Sequence, residues 1–333
     1  MDWSKGFSGA YYASEVDKRT WKDIDRFEIT GGSIEFTDEG LRSSADIDCV
    51  RYDKGREIWV RIWMDARQEG DASHVALFTG LACAPDRDVN GNYETNKVKC
   101  YSVLQPCESV LLERGWYAPA GVSAETVMKD LLTTTPAPVE VIGTTPNLDD
   151  NIVAEEGENH LSMVEKILTA IGWRMQISGE GHIIISENAD SESMIMSKDY
   201  DIIQTSFTES YDWYSAPNVF RAVTDTRTVT KKDESDGPLS IESRGREIWM
   251  EETDCNLSDG ESLEGYAERR LKEEQAVARE VSYTRRYVPD VMPSDIVRIC
   301  YPKQGVDGKF YISSQGISLG QGAPVSEEVR GIE

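Results

Sequence analysis

The chain has 333 residues, of which 39% are hydrophobic and 9% aromatic, so it can build packed cores in two or three domains. Its 60 acidic and 35 basic residues give a formal net charge of −25. That charge argues against stable nucleic-acid binding, because neutralising phosphates requires Lys and Arg, although it also serves solubility. No apolar run approaches the ~20 residues of a membrane span, and no signal-peptide pattern follows Met1, so we expect no membrane insertion.

The cysteines are scattered along the chain and include no C-x-x-C pair. They are Cys49, Cys83, Cys100, Cys107, Cys255 and Cys300. Several lie in strand-like patterns, where a free cysteine behaves as a small hydrophobic residue. We therefore expect a protein made in a reducing cytoplasm, without structural disulfides or a zinc site.

The first ~118 residues have the period-two pattern of β-strands. Ala45, Ile47 and Cys49 alternate with Asp46 and Asp48, which predicts a half-buried strand with an acidic outer face. The next strand, 58–64, places Trp59, Arg61 and Trp63 on one face, and a long apolar strand over 75–84 is interrupted at Gly80. Asn90-Gly91 is typical of a hairpin turn. We predict a first domain, residues 1–118, built as a small antiparallel β-barrel or sandwich.

Residues 119–200 have a mixed pattern, which predicts a small α+β domain. Ser123 can cap a short helix that ends before Pro136. Apolar residues at helical spacing over 161–171 predict a second helix that stops at Gly172. A hairpin follows, with strands over 173–177 and 183–185.

Residues 201–333 return to β-strand patterns over 202–209 and 218–230, followed by a polar stretch, 231–238, that predicts a flexible loop. Ser258 and Glu261 have the spacing of a capping box, which predicts a capped helix over 259–280. Two strands, 281–286 and 295–301, and a closing hairpin come next, and the last ~12 residues are expected to be a loose tail or a partner strand. The predicted fold class is therefore mainly β, with two β-barrel-like domains flanking the α+β domain.

The sequence contains no pattern typical of catalysis or metal binding. The three histidines have no metal-ligand spacing, and nucleophile, phosphate-loop and dinucleotide motifs are absent from the sequence. Acidic pairs suited to glycoside hydrolysis occur by composition alone in so acidic a chain. We therefore predict no catalytic, metal or cofactor-binding residues and no enzymatic activity.

Pairs of aromatic residues are the remaining candidates for binding. Trp59 and Trp63, with Arg61 between them, and the pair Trp213 and Tyr214 suit either a carbohydrate platform or packing against a neighbouring domain or subunit. We favour the packing role, because aromatic residues and Arg are enriched at such interfaces.

The pentapeptide Gly-Arg-Glu-Ile-Trp occurs twice, at 55–59 and at 245–249. Duplicated β domains would produce such a repeat. Chance is the other explanation, and it is favoured because the residues after the repeat differ.

One stretch resembles a known family. A charged helix, a strand, the segment Arg-Tyr-Val-Pro-Asp-Val-Met-Pro-Ser-Asp-Ile-Val-Arg-Ile at 286–299 and a closing hairpin are similar to the C-terminal part of the late control protein D family. These are baseplate hub proteins of contractile phage tails and phage-tail-like particles, and members often have glycine at the position of Ser294.

The resemblance implies a structural homotrimer in which two barrel-like domains per subunit form a pseudo-sixfold ring. It implies contacts with the tail tube protein, the central spike protein, other baseplate proteins and tape-measure proteins. The protein would be made in the bacterial cytoplasm and assembled into a virion tail or a bacteriocin-like particle, and an injection machine of the secretion type is a third setting. A tail-associated cell-wall hydrolase or carbohydrate-binding component is the alternative function.

The charge then suggests a role for the acidic strand. A ring whose bore is lined by carboxylates would repel DNA phosphates and let a genome or ions pass. Asp46 and Asp48 are the candidate bore-lining residues.

Overall fold

The computed structural model describes residues 1–38, 43–50, 52, 54–91, 93–188, 192–197, 203–224, 227–253, 255 and 262–332. By packing, the chain falls into two compact units. Unit 1 comprises residues 1–191, 284–295 and 313–327, and unit 2 comprises residues 192–283, 296–312 and 328–333. Each unit is described by itself.

Unit 1 begins with eight strands. They are β1 (Ser8–Val16), β2 (Asp23–Glu28), β3 (Gly31–Thr37), β4 (Ser43–Cys49), β5 (Ile58–Gln68), β6 (Asp71–Ala82), β7 (Asp86–Asn90) and β8 (Tyr93–Ser102). Seven of them form an antiparallel sheet in the order β3-β4-β8-β6-β5-β1-β2, and β7 pairs with β8 as a hairpin. Residues 314–318 extend this sheet by pairing with β3.

The alternation along β4 explains how this sheet buries one face. Ala45, Ile47 and Cys49 are almost completely buried in a core that also holds Ile62 and Phe78. Each fully buried large apolar side chain contributes roughly 1.5–3 kcal/mol relative to an exposed one. The polar residues between them face outward, as the period-two pattern predicts.

The α+β segment of unit 1 follows. Its elements are α1 (Gln105–Ser109), β9 (Tyr117–Ala118), α2 (Ala124–Leu132), β10 (Val139–Ile142), β11 (Ile152–Val153), α3 (His160–Ile171), β12 (Trp173–Ile177) and β13 (Ile183–Glu187). β13 lies between β10 and β12, parallel to β10 and antiparallel to β12. Asn159 caps α3 by accepting a hydrogen bond from the Ser162 backbone N–H at 2.8 Å, and Gly172 ends it in the left-handed conformation. The predicted helices and hairpin are confirmed, but the Ser123 side chain makes no capping hydrogen bond to α2.

Most of the remaining elements lie in unit 2. They are β14 (Glu192–Ser197), β15 (Ile203–Tyr211), β16 (Val219–Val223), β17 (Thr228–Lys232), α4 (Ile241–Arg244), β18 (Trp249–Thr253), α5 (Leu263–Val277), β19 (Arg279–Arg285), β20 (Ile296–Tyr301), β21 (Val306–Ser318) and β22 (Val325–Gly331). β17, β16 and β18 form a three-stranded sheet in that order. Helix α5 covers one face of it, where Phe220, Ala222, Tyr266 and Leu271 make a small core.

Two predictions in the second β region are corrected, and a third falls outside the described residues. Helix α5 begins at Leu263 and not after Ser258, because the Ser262 side chain accepts the Gly265 backbone N–H at 3.1 Å. Residues 256–261, which include the predicted capping box, lie outside the described residues. The polar loop begins at Asp233, because Lys231 and Lys232 pair with β16 as part of β17.

Two further expectations are settled by the strands. Val325–Gly331 is the strand β22, so the partner-strand alternative for the C-terminal residues is confirmed and the loose tail is wrong. β6 runs through Gly80 without a break. A Cβ at Gly80 would lie 2.2 Å from the Tyr101 carbonyl oxygen, so this glycine permits close approach of β8.

The prediction of a mainly β chain with an α+β segment is confirmed by this arrangement of elements. The three-domain division at residues 118 and 200 stays a prediction.

Candidate interaction surfaces

Arg61 is buried on β5 and joins the first sheet to the turn between β12 and β13. Its Nε donates to Thr79 Oγ1 at 3.1 Å, its Nη1 to Asp23 Oδ1 at 2.7 Å and its Nη2 to the Glu180 carbonyl oxygen at 3.0 Å. Because charged hydrogen bonds are stronger than neutral ones, this guanidinium is a firm link between the sheet and the turn.

Trp59 is also buried inside unit 1. Its ring lies 5.6 Å from that of Trp21, whose Nε1 donates to the same Glu180 carbonyl oxygen at 2.9 Å. Trp59 belongs to the core that α2 and α3 complete. The structure therefore places Trp59 and Arg61 between the first sheet and the α+β segment of one chain, with little side chain left exposed.

Two glycines allow the turn to approach the sheet this closely. A Cβ at Gly179 would lie 1.9 Å from the Ala76 carbonyl oxygen, and one at Gly181 would lie 2.7 Å from the Thr79 Cβ. Thr79 Oγ1 donates to the Gly179 carbonyl oxygen at 2.8 Å. Glycine is required at such close backbone approaches.

Trp63 lies on the outer face of β5 and is held by polar neighbours. Its ring stacks on the imidazole of His74 with 4.1 Å between centroids, and its Nε1 donates to Asp23 at 2.7 Å. His74 Nδ1 lies 2.6 Å from Asp65 Oδ1, across the β5–β6 pair. The spacing of the histidines in the sequence gives no indication of this pairing. The register of the β5–β6 hairpin is the signal that would have paired His74 with Asp65.

Asp46 and Asp48 lie on the outer face of β4, and β8 presents lysines to both. Lys99 is directly opposite Asp46 and Lys97 directly opposite Asp48, and both lysines are exposed. Opposite-charge pairs at such positions contribute about 0.2–1 kcal/mol each. This face is mixed in charge, and its role as a bore lining stays a prediction.

Trp213 and Tyr214 are exposed at the turn after β15. Tyr214 is the more exposed, with 80% of its surface accessible, and the Arg246 guanidinium lies 5.6 Å from its ring. Asp212 fixes the turn by accepting hydrogen bonds from the Tyr214 and Ser215 backbone N–H groups. Hydrogen bonds from Ser215, chiefly from its hydroxyl, lower the pKa of the Asp212 carboxyl. The proposed interface role of the two aromatic residues stays a prediction.

Trp249 is a further exposed aromatic residue, outside the two aromatic pairs predicted from the sequence. It begins β18, and the Arg221 guanidinium lies 4.5 Å from its ring. Trp59 occupies the same place in the first copy of the repeated pentapeptide, yet Trp59 is buried and Trp249 is half exposed. The repeated pentapeptide is the sequence feature that could have drawn attention to Trp249.

The segment that carries the family resemblance is fixed to β12. Asp295 is buried and accepts hydrogen bonds from Arg174 Nη1 at 3.0 Å and from the Met292 backbone N–H at 2.9 Å. Gln176 donates to the Pro293 carbonyl oxygen at 2.9 Å. Ser294 has a φ of 69°, in the left-handed region that favours glycine, which explains why glycine suits this position.

One cavity, lined by Phe36, Met175 and Met292 among others, has space of about 30 Å³, which suffices for a single water molecule. Among the described residues, no group of three or more His, Cys, Asp or Glu side chains is placed to hold a metal ion.

Burial raises the pKa of the Cys49 thiol to about 11, which keeps it protonated and unreactive. Within the same residues, no helix combines the length and apolar character needed to cross a membrane.

The fold defined by these elements is that of phage tail proteins. No protein-family model and no curated protein matches the sequence. Solved structures do match over nearly their whole lengths, so the expected likeness to phage tail proteins is confirmed in the fold.

Three of these structures share 12% sequence identity with the chain. The 43 kDa tail protein of prophage MuSo2 from Shewanella oneidensis superposes with a TM-score of 0.69, covering 97% of this chain and 98% of that one. A tail protein from Neisseria meningitidis MC58 gives 0.68, covering 98% and 97%. Prophage tail protein gp18 from Listeria monocytogenes gives 0.57, covering 96% and 94%.

Proposed function

We propose that the chain is a structural hub protein of a contractile phage tail or tail-like particle. Three copies would form a ring that joins the tail tube to the central spike and leaves an acidic bore for DNA or ions. The observation that supports this proposal is the fold, which is shared with two tail proteins over 97–98% of each chain.

The architecture suits a ring. In this proposal, the domains at 1–118 and 201–333 occupy equivalent positions around the axis, so that three copies present six similar domains to a sixfold tube. The α+β domain at 119–200 would lie outside that pseudo-sixfold arrangement. A closed symmetric assembly of this kind needs extended, complementary surfaces and no reaction centre.

The partners follow from the position of the ring. They are other copies of the chain, the tail tube protein, the central spike protein, other baseplate proteins and tape-measure proteins. The protein would be made in the bacterial cytoplasm and would act by shape and not by catalysis. It would bind no nucleic acid stably and insert into no membrane, and its net charge of −25 supports the first of these statements.

The bore is proposed to be acidic, with Asp46 and Asp48 on its wall. Because Lys97 and Lys99 lie opposite these aspartates, other carboxylates must supply most of the repulsion toward phosphates. The charge of the whole chain provides them in excess.

Electron microscopy of the purified protein tests the proposal. We expect rings with threefold symmetry that become pseudo-sixfold at low resolution, with an acidic wall around the axis. A single-copy particle or a basic bore would contradict it.

The exposed aromatic residues favour one alternative, a carbohydrate-binding or cell-wall-degrading tail component. Trp213, Tyr214 and Trp249 present accessible rings of the kind that stack on sugars. Incubating the purified protein with peptidoglycan and measuring released fragments, together with binding assays on soluble glycans, distinguishes this function. The hub proposal expects neither release nor binding.

A further inference from the structure

Unit 2 carries a surface of exposed aromatic rings, two of which are stacked with guanidinium groups. We call it the aromatic–arginine surface, and it consists of Trp213, Tyr214, Arg221, Arg246 and Trp249. Arg246 lies over Tyr214 and Arg221 over Trp249, at 5.6 and 4.5 Å from the ring centroids. Trp, Tyr and Arg are the residues most often responsible for binding energy at protein interfaces.

The two segments that form this surface are bonded side by side. Arg244 Nη1 donates to the Ala216 carbonyl oxygen at 2.7 Å, and Asn218 Nδ2 donates to the Arg246 carbonyl oxygen at 3.0 Å. The Ile248 backbone N–H donates to Asn218 Oδ1 at 2.7 Å. The surface is therefore pre-organised, which lowers the entropic cost of binding a partner.

Unit 1 carries a surface of the opposite charge on the short ribbon formed by β9 and β11. We call it the acidic ribbon, and it consists of Tyr117, Val153, Asp150, Glu155 and Glu156. Tyr117 and Val153 are directly paired across the ribbon and face outward, each more than half exposed. The acidic side chains on both sides of Val153 are exposed as well. An exposed apolar pair within an acidic rim is the complement of an aromatic surface that carries arginines.

Arg221 is paired with Glu251 at 2.9 Å and Glu155 with Lys166 at 3.5 Å, so the charges left to act on a partner are those of Arg246, Asp150 and Glu156. Among the residues the structure describes, Arg246 forms no salt bridge, and neither does Asp150 or Glu156. A chain with a net charge of −25 is repelled by its own copies. An unpaired arginine of one copy that meets unpaired carboxylates of the next offsets part of this repulsion.

We propose that each copy of the chain binds the next through these two surfaces, the aromatic–arginine surface of one copy seated on the acidic ribbon of its neighbour. The contact is heterologous, so repetition closes a ring when the rotation between copies permits it. This inference rests on the proposed ring function and names the surfaces that make it.

Charge reversal on each surface and on both together tests the pairing. One variant is Arg246→Glu, the second is Asp150→Arg with Glu156→Arg, and the third combines all three changes in one chain. Controls are Lys18→Glu for the charge change and Ile24→Ala for loss of an exposed apolar side chain, since both residues are exposed elsewhere on unit 1. Light scattering behind size-exclusion chromatography, over a series of protein concentrations, gives the mass distribution of each variant, and circular dichroism confirms that each is folded.

We expect the dissociation constant of the oligomer to rise at least about tenfold in each single-surface variant. That change corresponds to about 1.4 kcal/mol at the contact. The combined variant should recover most of that loss, because its reversed charges again match, while both controls should behave as the wild type does. An oligomeric wild type with single-surface variants of unchanged mass distribution would overturn this inference and leave the ring function standing. A combined variant that associates no more tightly than the weaker of the two single-surface variants would overturn this inference in the same way.

A wild type that stays monomeric throughout the series would overturn both proposals. Monomers that bind glycans through Tyr214 would assign the aromatic–arginine surface to sugars instead.

Discussion

Arg285 and Glu327 form an ion pair with no solvent exposure on either side chain. Arg285 Nη2 donates to Glu327 Oε1 at 2.5 Å, and Gln315 Nε2 donates to the same oxygen at 2.8 Å. Gln315 also donates to the Val291 carbonyl oxygen at 2.9 Å. The network therefore anchors the proline-containing segment that carries the family resemblance, using strands β21 and β22 that are distant from it in sequence.

Glu327→Gln should destabilise unit 1 by about 3 kcal/mol or more, because it removes the buried carboxylate charge that Arg285 and Gln315 bind. The change preserves the side-chain shape, so lost packing does not explain a loss of this size. Asp307→Asn is the matched control, since Asp307 and Arg298 form a half-exposed pair at 4.0 Å and such pairs contribute at most about 1 kcal/mol. Urea denaturation followed by tryptophan fluorescence compares the two, and equal midpoints would show that the buried pair is not required.

Gly179→Ala should displace the β12–β13 turn from the first sheet. The added Cβ would meet the Ala76 carbonyl oxygen at 1.9 Å, and the turn cannot move away without breaking the hydrogen bonds that Thr79 and Arg61 donate to it. We expect a loss of about 2 kcal/mol or more, in the range of overpacking and lost buried hydrogen bonds. Gly55→Ala, where a Cβ meets nothing within 4 Å, should change stability little. A Gly179→Ala protein as stable as the Gly55→Ala protein would refute the close approach.

Asp233 should give unit 2 a pH-dependent contribution to stability. Burial raises its pKa, but hydrogen bonds from Ser235 and Gln275 outweigh burial and lower the pKa below the usual 3.8. Because the folded-state pKa is depressed, the contribution is present above pH 3.8 and is lost as the pH falls through the folded-state pKa. Asp233→Asn should therefore lower the melting temperature near neutral pH. The difference from the wild type should shrink as the pH is lowered through this range, and a constant difference from pH 7 to pH 3 would contradict the assignment.

Reversing the charge of the acidic strand tests the bore proposal. Asp46→Lys with Asp48→Lys should slow DNA ejection from a phage that carries the protein while particles still assemble. The reversal also places lysines opposite Lys97 and Lys99, which costs roughly 0.2–1 kcal/mol per pair. Asp46→Asn with Asp48→Asn avoids those repulsive pairs, so it should assemble normally and have an intermediate ejection rate. Unchanged ejection in both variants would remove these aspartates from the bore.

Local patterns predicted the elements whose signals lie close together in sequence. Helix α3 and the β12–β13 hairpin were predicted because apolar periodicity, Gly172 and the turn glycines all fall within one short stretch. The predicted start of α5 was wrong because the Ser258 and Glu261 spacing was taken as the cap, whereas the structure uses Ser262.

Contacts between distant segments could not be predicted in the same way. The Glu180 carbonyl oxygen is the partner of both Trp21 and Arg61, more than a hundred positions away, and no local pattern records such a contact. The repeated pentapeptide makes the same point, because identical local sequence leaves Trp59 buried and Trp249 exposed. The lysines opposite Asp46 and Asp48 likewise follow from strand register, which the alternation on one strand does not determine.

The mass of the native protein tests the central claim most directly. Native mass spectrometry of the purified chain should give three times the 37.3 kDa of one copy, as expected for a closed ring of three. A species of 37.3 kDa at every concentration, or a stable dimer, would contradict the account.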